Sequence, residues 1–136
     1  MKKIKKRSEC PISCSLDIFG DKWSLLIIRD MMFLQKSTYG DFLKSEEGIA
    51  TNILASRLQD LEDNELIRKL EHPNSKAKFL YQLTQKAIDL LPLFVEIYLW
   101  TNKYFEIPAE IKLIIKDAKK DKPEFIKSLT KKLNDN

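Results

Sequence analysis

Between Gly48 and Gln82 the chain changes its hydrophobic period. A helical spacing of apolar residues gives way to two short alternating runs around a Pro-Asn turn, with the helix-length segment Ser37 to Lys44 just upstream. That order predicts a winged helix-turn-helix, a module that reads duplex DNA. In the helix of about Ala50 to Asn64, rotation by 100° per residue puts Leu54, Leu58, Leu61 and Glu65 on one side. Asn52, Ser56, Gln59 and Asp63 fall opposite. The leucines are expected to face the core. Asn52, Ser56 and Gln59 then point outward with groups that can donate and accept hydrogen bonds at base edges, and with Thr51 and Ala55 they form the expected reading set. A merely solvated face is the alternative, although Lys and Glu would be commoner there.

The runs Ile67 to Glu71 and Phe79 to Leu83 predict a hairpin, the wing, joined by the seven residues His72 to Lys78. Lys76 and Lys78, at or beside its tip, are expected to reach phosphate or the adjacent minor groove, against the plainer reading of a solvated tip. His72 has no second histidine to pair with, so a turn role is expected rather than metal ligation. Upstream, Leu16, Ile18 and Phe19 predict a brief helix closed by Gly20, and Asp21 is placed to cap the next. Lys22 to Phe33 is apolar nearly all round, which predicts a helix buried at the centre of the domain. Ser37 or Thr38 is expected to cap the third helix.

After the wing, Thr84 restarts a helical pattern with a long apolar stripe through Ala87, Leu90, Leu91, Phe94, Ile97, Tyr98 and Phe105, and Pro92 is placed to bend it. Phe94, Tyr98, Trp100, Tyr104 and Phe105 are more aromatic surface than a domain this small is expected to bury alone, so a second copy of the chain is the expected cover. Packing on the chain's own first helices is the alternative. Two lysine-rich amphipathic helices are expected beyond Pro108, one through Ile111, Ile114, Ile115 and Ala118, the other through Phe125, Ile126, Leu129 and Leu133. The expected organisation is a basic arm over 1–9, a winged-helix domain with its dimerisation helices over 10–107, and a helical extension over 108–136.

Charge adds an asymmetry. Of the net +4, five positive charges sit in the first seven residues, at Lys2, Lys3, Lys5, Lys6 and Arg7, leaving −1 for the remainder. Such an arm can track phosphates or simply be solvated. With neither a secretory signal nor a membrane-length apolar run, a cytoplasmic location is expected. An enzyme would need a nucleophile or base constellation, and the chain has one histidine, three glycines and no phosphate loop. No cofactor or metal is expected. Cys10 and Cys14 do not form a disulfide framework in such a chain.

Cys10-Pro11-Ile12, Leu16-Asp17, Phe19-Gly20-Asp21-Lys22-Trp23 and Leu26-Ile27-Ile28-Arg29-Asp30 resemble the opening of HxlR-type winged-helix transcriptional regulators, a MarR-like branch. Gly48-Ile49, Leu54, Arg57-Leu58, Leu61-Glu62, Leu66-Ile67, Tyr81, Leu83-Thr84 and Lys86 continue the resemblance, which runs from about Cys10 to Trp100. It implies a mainly α fold with a small β-hairpin wing and N- and C-terminal dimerisation helices. It further implies a homodimeric regulator on double-stranded DNA, with an inverted-repeat operator and repression as the commoner habit. Leu16, Phe19, Leu91, Phe94, Tyr98 and Phe105 are the expected dimer contacts. Two positions depart from the pattern. Ser37 and Thr38 replace a basic pair ahead of the third helix, so that of the backbone contacts expected at Lys36, Ser37 and Thr38 the last two are weaker or are carried by Lys36 instead, and Ala50 replaces a capping serine, which makes Thr51 the expected cap.

Some members of that family sense oxidants or electrophiles through the cysteine at the place of Cys10, so an oxidant or small-molecule signal is a further expectation. Lys5, Lys6, Arg7 and a following helix N-terminus would favour the thiolate, Cys14 offers a resolving thiol, and Glu9 acts against it. A winged helix used as a protein-interaction module is the competing function, because the fold alone does not guarantee DNA binding.

Overall fold

The computed structural model describes residues 5–135. Two compact units divide the chain, the first ending at Ala87 and the second beginning at Ile88. This boundary lies inside the 10–107 segment expected to form one domain.

The first unit opens with α1 (Pro11–Phe19), with Pro11 in the first turn, where its missing N–H costs nothing. The helix starts five residues before the apolar cluster that announced it. Gly20 ends it by close approach rather than by a left-handed turn: its φ is −78°, and a Cβ there would lie 2.4 Å from the Leu16 carbonyl oxygen. The Asp21 carboxylate then accepts the amides of Trp23 and Ser24, both at 3.0 Å, and the Ser24 hydroxyl. These bonds satisfy donors at the start of α2 (Ser24–Phe33). Burial pushes the Asp21 carboxyl up, but the Ser24 hydroxyl, the two amides and the nearby Arg57 outweigh it, and its pKa lies below the usual aspartate value. Ile27, Ile28, Met31 and Met32 of α2 are buried, as expected of the central helix.

α3 (Tyr39–Leu43) is capped by Thr38 in a reciprocal box with Asp41, and inserts Phe42 into the core. Gly48, at φ +68°, makes the turn before α4 (Thr51–Asp63). The cap expected at Thr51 is corrected here. Ala50 holds the extended N-cap position with no side-chain bond, and Thr51 is already the first helical residue. Leu54, Leu58 and Leu61 are buried, while Glu65, placed by rotation on the core side, lies beyond the helix end, exposed and at φ +61°. The rotational count fails there because the helix has stopped.

The wing is an antiparallel pair, β1 (Ile67–His72) and β2 (Ser75–Leu83), in register Ile67 to Leu83 and Leu70 to Leu80. The turn is only Pro73 and Asn74, so the seven-residue loop is corrected. Ser75 pairs with His72 and Phe79 with Glu71, and the residues between them, Lys76 to Lys78, form an irregularity within β2. The His72 Nδ1 accepts the Asn74 amide at 3.0 Å, the turn role expected of it. The Tyr81 amide donates to the Ser37 carbonyl at 2.7 Å, tying the wing to the segment ahead of α3.

α5 (Gln85–Ile88) is a single short helix and α6 (Leu91–Tyr104) a separate one. The expected continuous helix is therefore broken, not bent. Pro92 cannot donate, and its ring would strike the carbonyl four residues back, so it is accommodated in a first turn. In the second unit, α7 (Ala109–Lys120) buries Ile115 and Ala118, and α8 (Lys122–Asn134) half-buries Phe125, Ile126, Leu129 and Leu133. Asp121 caps α8 by accepting the Glu124 amide at 3.1 Å, and Lys122 bonds Glu96 of α6. Among the described residues no helix is long and apolar enough to cross a membrane.

Candidate nucleic-acid interface

Burial of three leucines fixes which side of α4 faces out. Thr51, Asn52, Ala55, Ser56 and Gln59 are all exposed on it. The Gln59 amide donates to Asp63 Oδ1 at 2.9 Å, and the Ser56 hydroxyl accepts from Arg57 at 3.1 Å. Asn52 makes no such bond within the described residues, so its amide has both donor and acceptor capacity open. The Tyr39 hydroxyl donates to the Thr51 carbonyl at 2.9 Å, which ties the start of α4 to α3.

Behind this face lies a charge cluster that sequence reading missed. The Arg29 guanidinium makes a two-pronged pair with Glu47 at 2.8 and 2.9 Å and also bonds Asp30 Oδ1 at 2.7 Å. The Asp30 side chain, only 2% exposed, further accepts from the Ser45 hydroxyl and lies 3.5 Å from Lys36 Nζ. One cluster thus joins α2, the segment before α3 and the turn between α3 and α4. The Glu47 hydrogen bond is the main reason the Arg29 pKa lies above its ordinary value, and reciprocally Arg29 holds the Glu47 carboxyl below its own. Adjacent Arg29 and Asp30 within a helix otherwise apolar nearly all round were the available signal.

The expected phosphate-contacting residues are placed unequally. Lys76 and Lys78 are exposed on β2. Lys36 is half-buried, its ammonium 3.3 Å from Ser45 Oγ and held by Asp30, so a phosphate would have to compete with an internal ion pair. Ser37 and Thr38 are also half-buried, and both their amides donate to Asp41 at 3.2 Å. Burial pushes the Asp41 carboxyl up, yet those amides and the Thr38 hydroxyl bring its pKa below normal. Of the basic arm, Lys2 and Lys3 lie outside the described residues. Lys5 is exposed, Lys6 pairs with Glu9 at 3.6 Å, and Arg7 Nε with Asp17 at 2.6 Å.

Cys10 stands exposed at the N-cap of α1. Its thiol pKa is lowered, first by the Ser13 amide and then by that of Ile12, the unsatisfied donors of the first helical turn. Cys14 is half-buried and its Sγ donates to the Ser8 carbonyl at 3.2 Å. Among the expected dimer contacts, Leu16 is exposed and Phe19 half-buried in the first unit. In the second, Leu91 and Phe94 are buried in the chain itself, at 0% and 5% exposure, whereas Tyr98 is half-buried and Phe105 exposed. Trp100, Tyr104 and Phe105 are 59%, 69% and 60% exposed, and the Trp100 ring lies 5.5 Å from Tyr104 and 6.2 Å from Phe105.

A profile of HxlR-like helix-turn-helix proteins matches residues 18–108. The HTH-type transcriptional regulator BH0655 of Halalkalibacterium halodurans is 31% identical over 74% of this chain and 89% of its own length. The regulator YodB of Bacillus subtilis is 30% identical over 71% of this chain and 87% of its own. Its reduced-form structure superposes with a TM-score of 0.59 at 26% identity, covering 73% of this chain and 97% of YodB. The crystal structure of PA1607, a candidate transcription factor, superposes with a TM-score of 0.67 at 39% identity, covering 76% of this chain and 71% of that one. With its helix-turn-helix, wing and flanking helices, the chain belongs to the HxlR-like helix-turn-helix family of transcriptional regulators.

Proposed function

We propose that this regulator acts in the cytoplasm as a homodimer that represses transcription by binding an inverted-repeat operator. The observation that carries this reading is the outward face of α4, where Asn52, Ser56 and Gln59 are exposed while Leu54, Leu58 and Leu61 are buried. Each α4 enters a major groove, with Asn52 as the principal base reader and Thr51, Ala55, Ser56 and Gln59 around it. Lys76 and Lys78 of the wing contact flanking backbone. Lys36, Ser37 and Thr38 act chiefly by holding α3 and the wing in place. A protein-interaction module would present apolar side chains on this face, and this one is polar.

In the second unit, exposed Trp100, Tyr104 and Phe105 with half-buried Tyr98 supply apolar surface for a partner copy, and in the first unit exposed Leu16 with half-buried Phe19 does so. Cys10 is the sensing thiol: it is exposed, and the amides of the first turn of α1 favour its thiolate. YodB has been solved in reduced, diamide-treated and quinone-bound forms, so a regulator of this fold takes up such reagents. The experiment is selection of genomic fragments by the purified protein at fixed salt, with and without a quinone. Recovery of an inverted repeat, weakened by quinone in wild type and not in Cys10→Ser, is expected. No enriched sequence would overturn the operator reading, and equal quinone sensitivity in Cys10→Ser would overturn the role of Cys10.

A further inference from the structure

From Ser8 to Ala87, the stretch that holds the helix-turn-helix and the wing, there are ten Lys and Arg residues against twelve Asp and Glu, a formal charge of −2. Several of those cations are also engaged within the unit: Arg29 with Asp30 and Glu47, Lys36 with Asp30, Arg57 with Asp21 and Asp60, and Lys86 with the Asn64 carbonyl. A duplex carries one negative charge per about 1.7 Å of axis. A reading head of this charge needs cations from elsewhere in the chain.

α7 offers them in an ordered form. At 100° per residue, Lys112, Lys116, Lys119 and Lys120 fall within an arc of about 100°. All four side chains are exposed. Glu110 and Asp117 fall outside that arc, and the buried or half-buried Ile111, Ile114, Ile115 and Ala118 occupy another side of the helix. Among the described residues no carboxylate pairs with any of these four lysines. From Lys112 to Lys120 the helix rises about 12 Å, a length of duplex that presents about seven phosphate charges. α8 lacks this order, because Glu124 falls between Lys131 and Lys132, inside the arc that these two form with Lys127.

We propose that the lysine face of α7 is a sequence-independent contact surface for the phosphate backbone of duplex DNA. The proposal rests on the DNA-binding reading above and extends it to a segment beyond the family match, which ends at residue 108. Each lysine that replaces a condensed counterion on a phosphate adds about 0.9 to the slope of log affinity against log salt, so four account for about 3 to 4. The face adds affinity and salt sensitivity but no base preference.

The test is fluorescence anisotropy of the full chain on a labelled random-sequence duplex, titrated across salt. Wild type is compared with a variant carrying Lys112→Gln, Lys116→Gln, Lys119→Gln and Lys120→Gln, and with a control carrying Lys127→Gln, Lys131→Gln and Lys132→Gln. Glutamine keeps the helix propensity of these exposed positions, and circular dichroism checks the fold. The α7 variant is expected to lose about 3 units of slope and the α8 control less than about 1. Should the fourfold variant misfold, Lys116→Gln with Lys120→Gln alone is expected to lose about half as much. An α7 slope equal to wild type, or equal losses in both variants, overturns the proposal and leaves the operator reading standing. Absence of duplex binding by wild type overturns both, and wild-type binding to phosphatidylglycerol vesicles in its place would make the face a membrane contact.

Discussion

In the proposed operator complex, Asn52 is the side chain on which base reading turns. Its exposed amide has open donor and acceptor capacity, whereas the Gln59 amide already donates to Asp63. Asn52→Ala is expected to weaken operator binding by about 1 to 3 kcal/mol and to relax preference at one base position, read by competition with operator variants. Unchanged discrimination would mean that α4 enters the groove in another orientation. Cys10 supports a second prediction. Because its folded pKa is lowered, a larger share is thiolate near neutral pH, so iodoacetamide should label Cys10 faster than half-buried Cys14. Labelling of Cys10 should level off at a lower pH than for an unperturbed cysteine, and peptide mass spectrometry measures both. The expectation for Cys10 came from a motif; that the Ser13 and Ile12 amides favour its thiolate needed the helix to start at Pro11.

At the scale of elements, the cluster of Arg29, Asp30, Lys36, Ser45 and Glu47 holds α2, α3 and the turn before α4 in one arrangement. Removing Asp30 leaves Arg29 and Lys36 without their buried partner, so Asp30→Ala is expected to destabilise the fold by about 3 to 5 kcal/mol in urea unfolding. Glu47 gives the pH dependence. Its folded pKa is depressed below the usual glutamate value, chiefly by the Arg29 hydrogen bond, so the pair's stabilisation is present above the unfolded pKa and lost as pH falls through the folded one. Glu47→Gln should therefore narrow the loss of melting temperature below about pH 4.5. An equal loss in both proteins would exclude this pair as an acid-sensitive contact. The five-residue α3 and the wing were legible from period and capping residues, but the break between α5 and α6 was not, because an apolar stripe continues across Pro92 regardless of the backbone.

For the whole molecule, dimerisation is the property on which the proposed operator geometry depends. In the proposed dimer, two-fold symmetry would set half-sites one or two helical turns apart, about 34 Å per turn. Trp100→Glu puts a charge into the exposed aromatic group formed with Tyr104 and Phe105, and because Trp100 is outside the buried core the single chain should still fold. The variant is expected to sediment as a monomer and to bind the operator at least tenfold more weakly, since each half-site then pays its own association entropy. A dimeric Trp100→Glu would move the interface to another surface.

The order of elements through the wing, the buried face of α4 and the family were determined by the sequence alone, because period, capping residues and a series of short motifs are local and survive without coordinates. Only the tertiary structure decided which cations are free and which are tied. Arg29, Lys36 and Arg57 look like Lys76 and Lys112 in the chain, yet the first three meet the carboxylates of Glu47, Asp30 and Asp21, and among the described residues no carboxylate pairs with the last two. It likewise decided that Leu91 and Phe94 are core while Trp100, Tyr104 and Phe105 are surface. Pairing and burial depend on residues far apart in sequence, and a single helical stripe does not say which part of it another element covers.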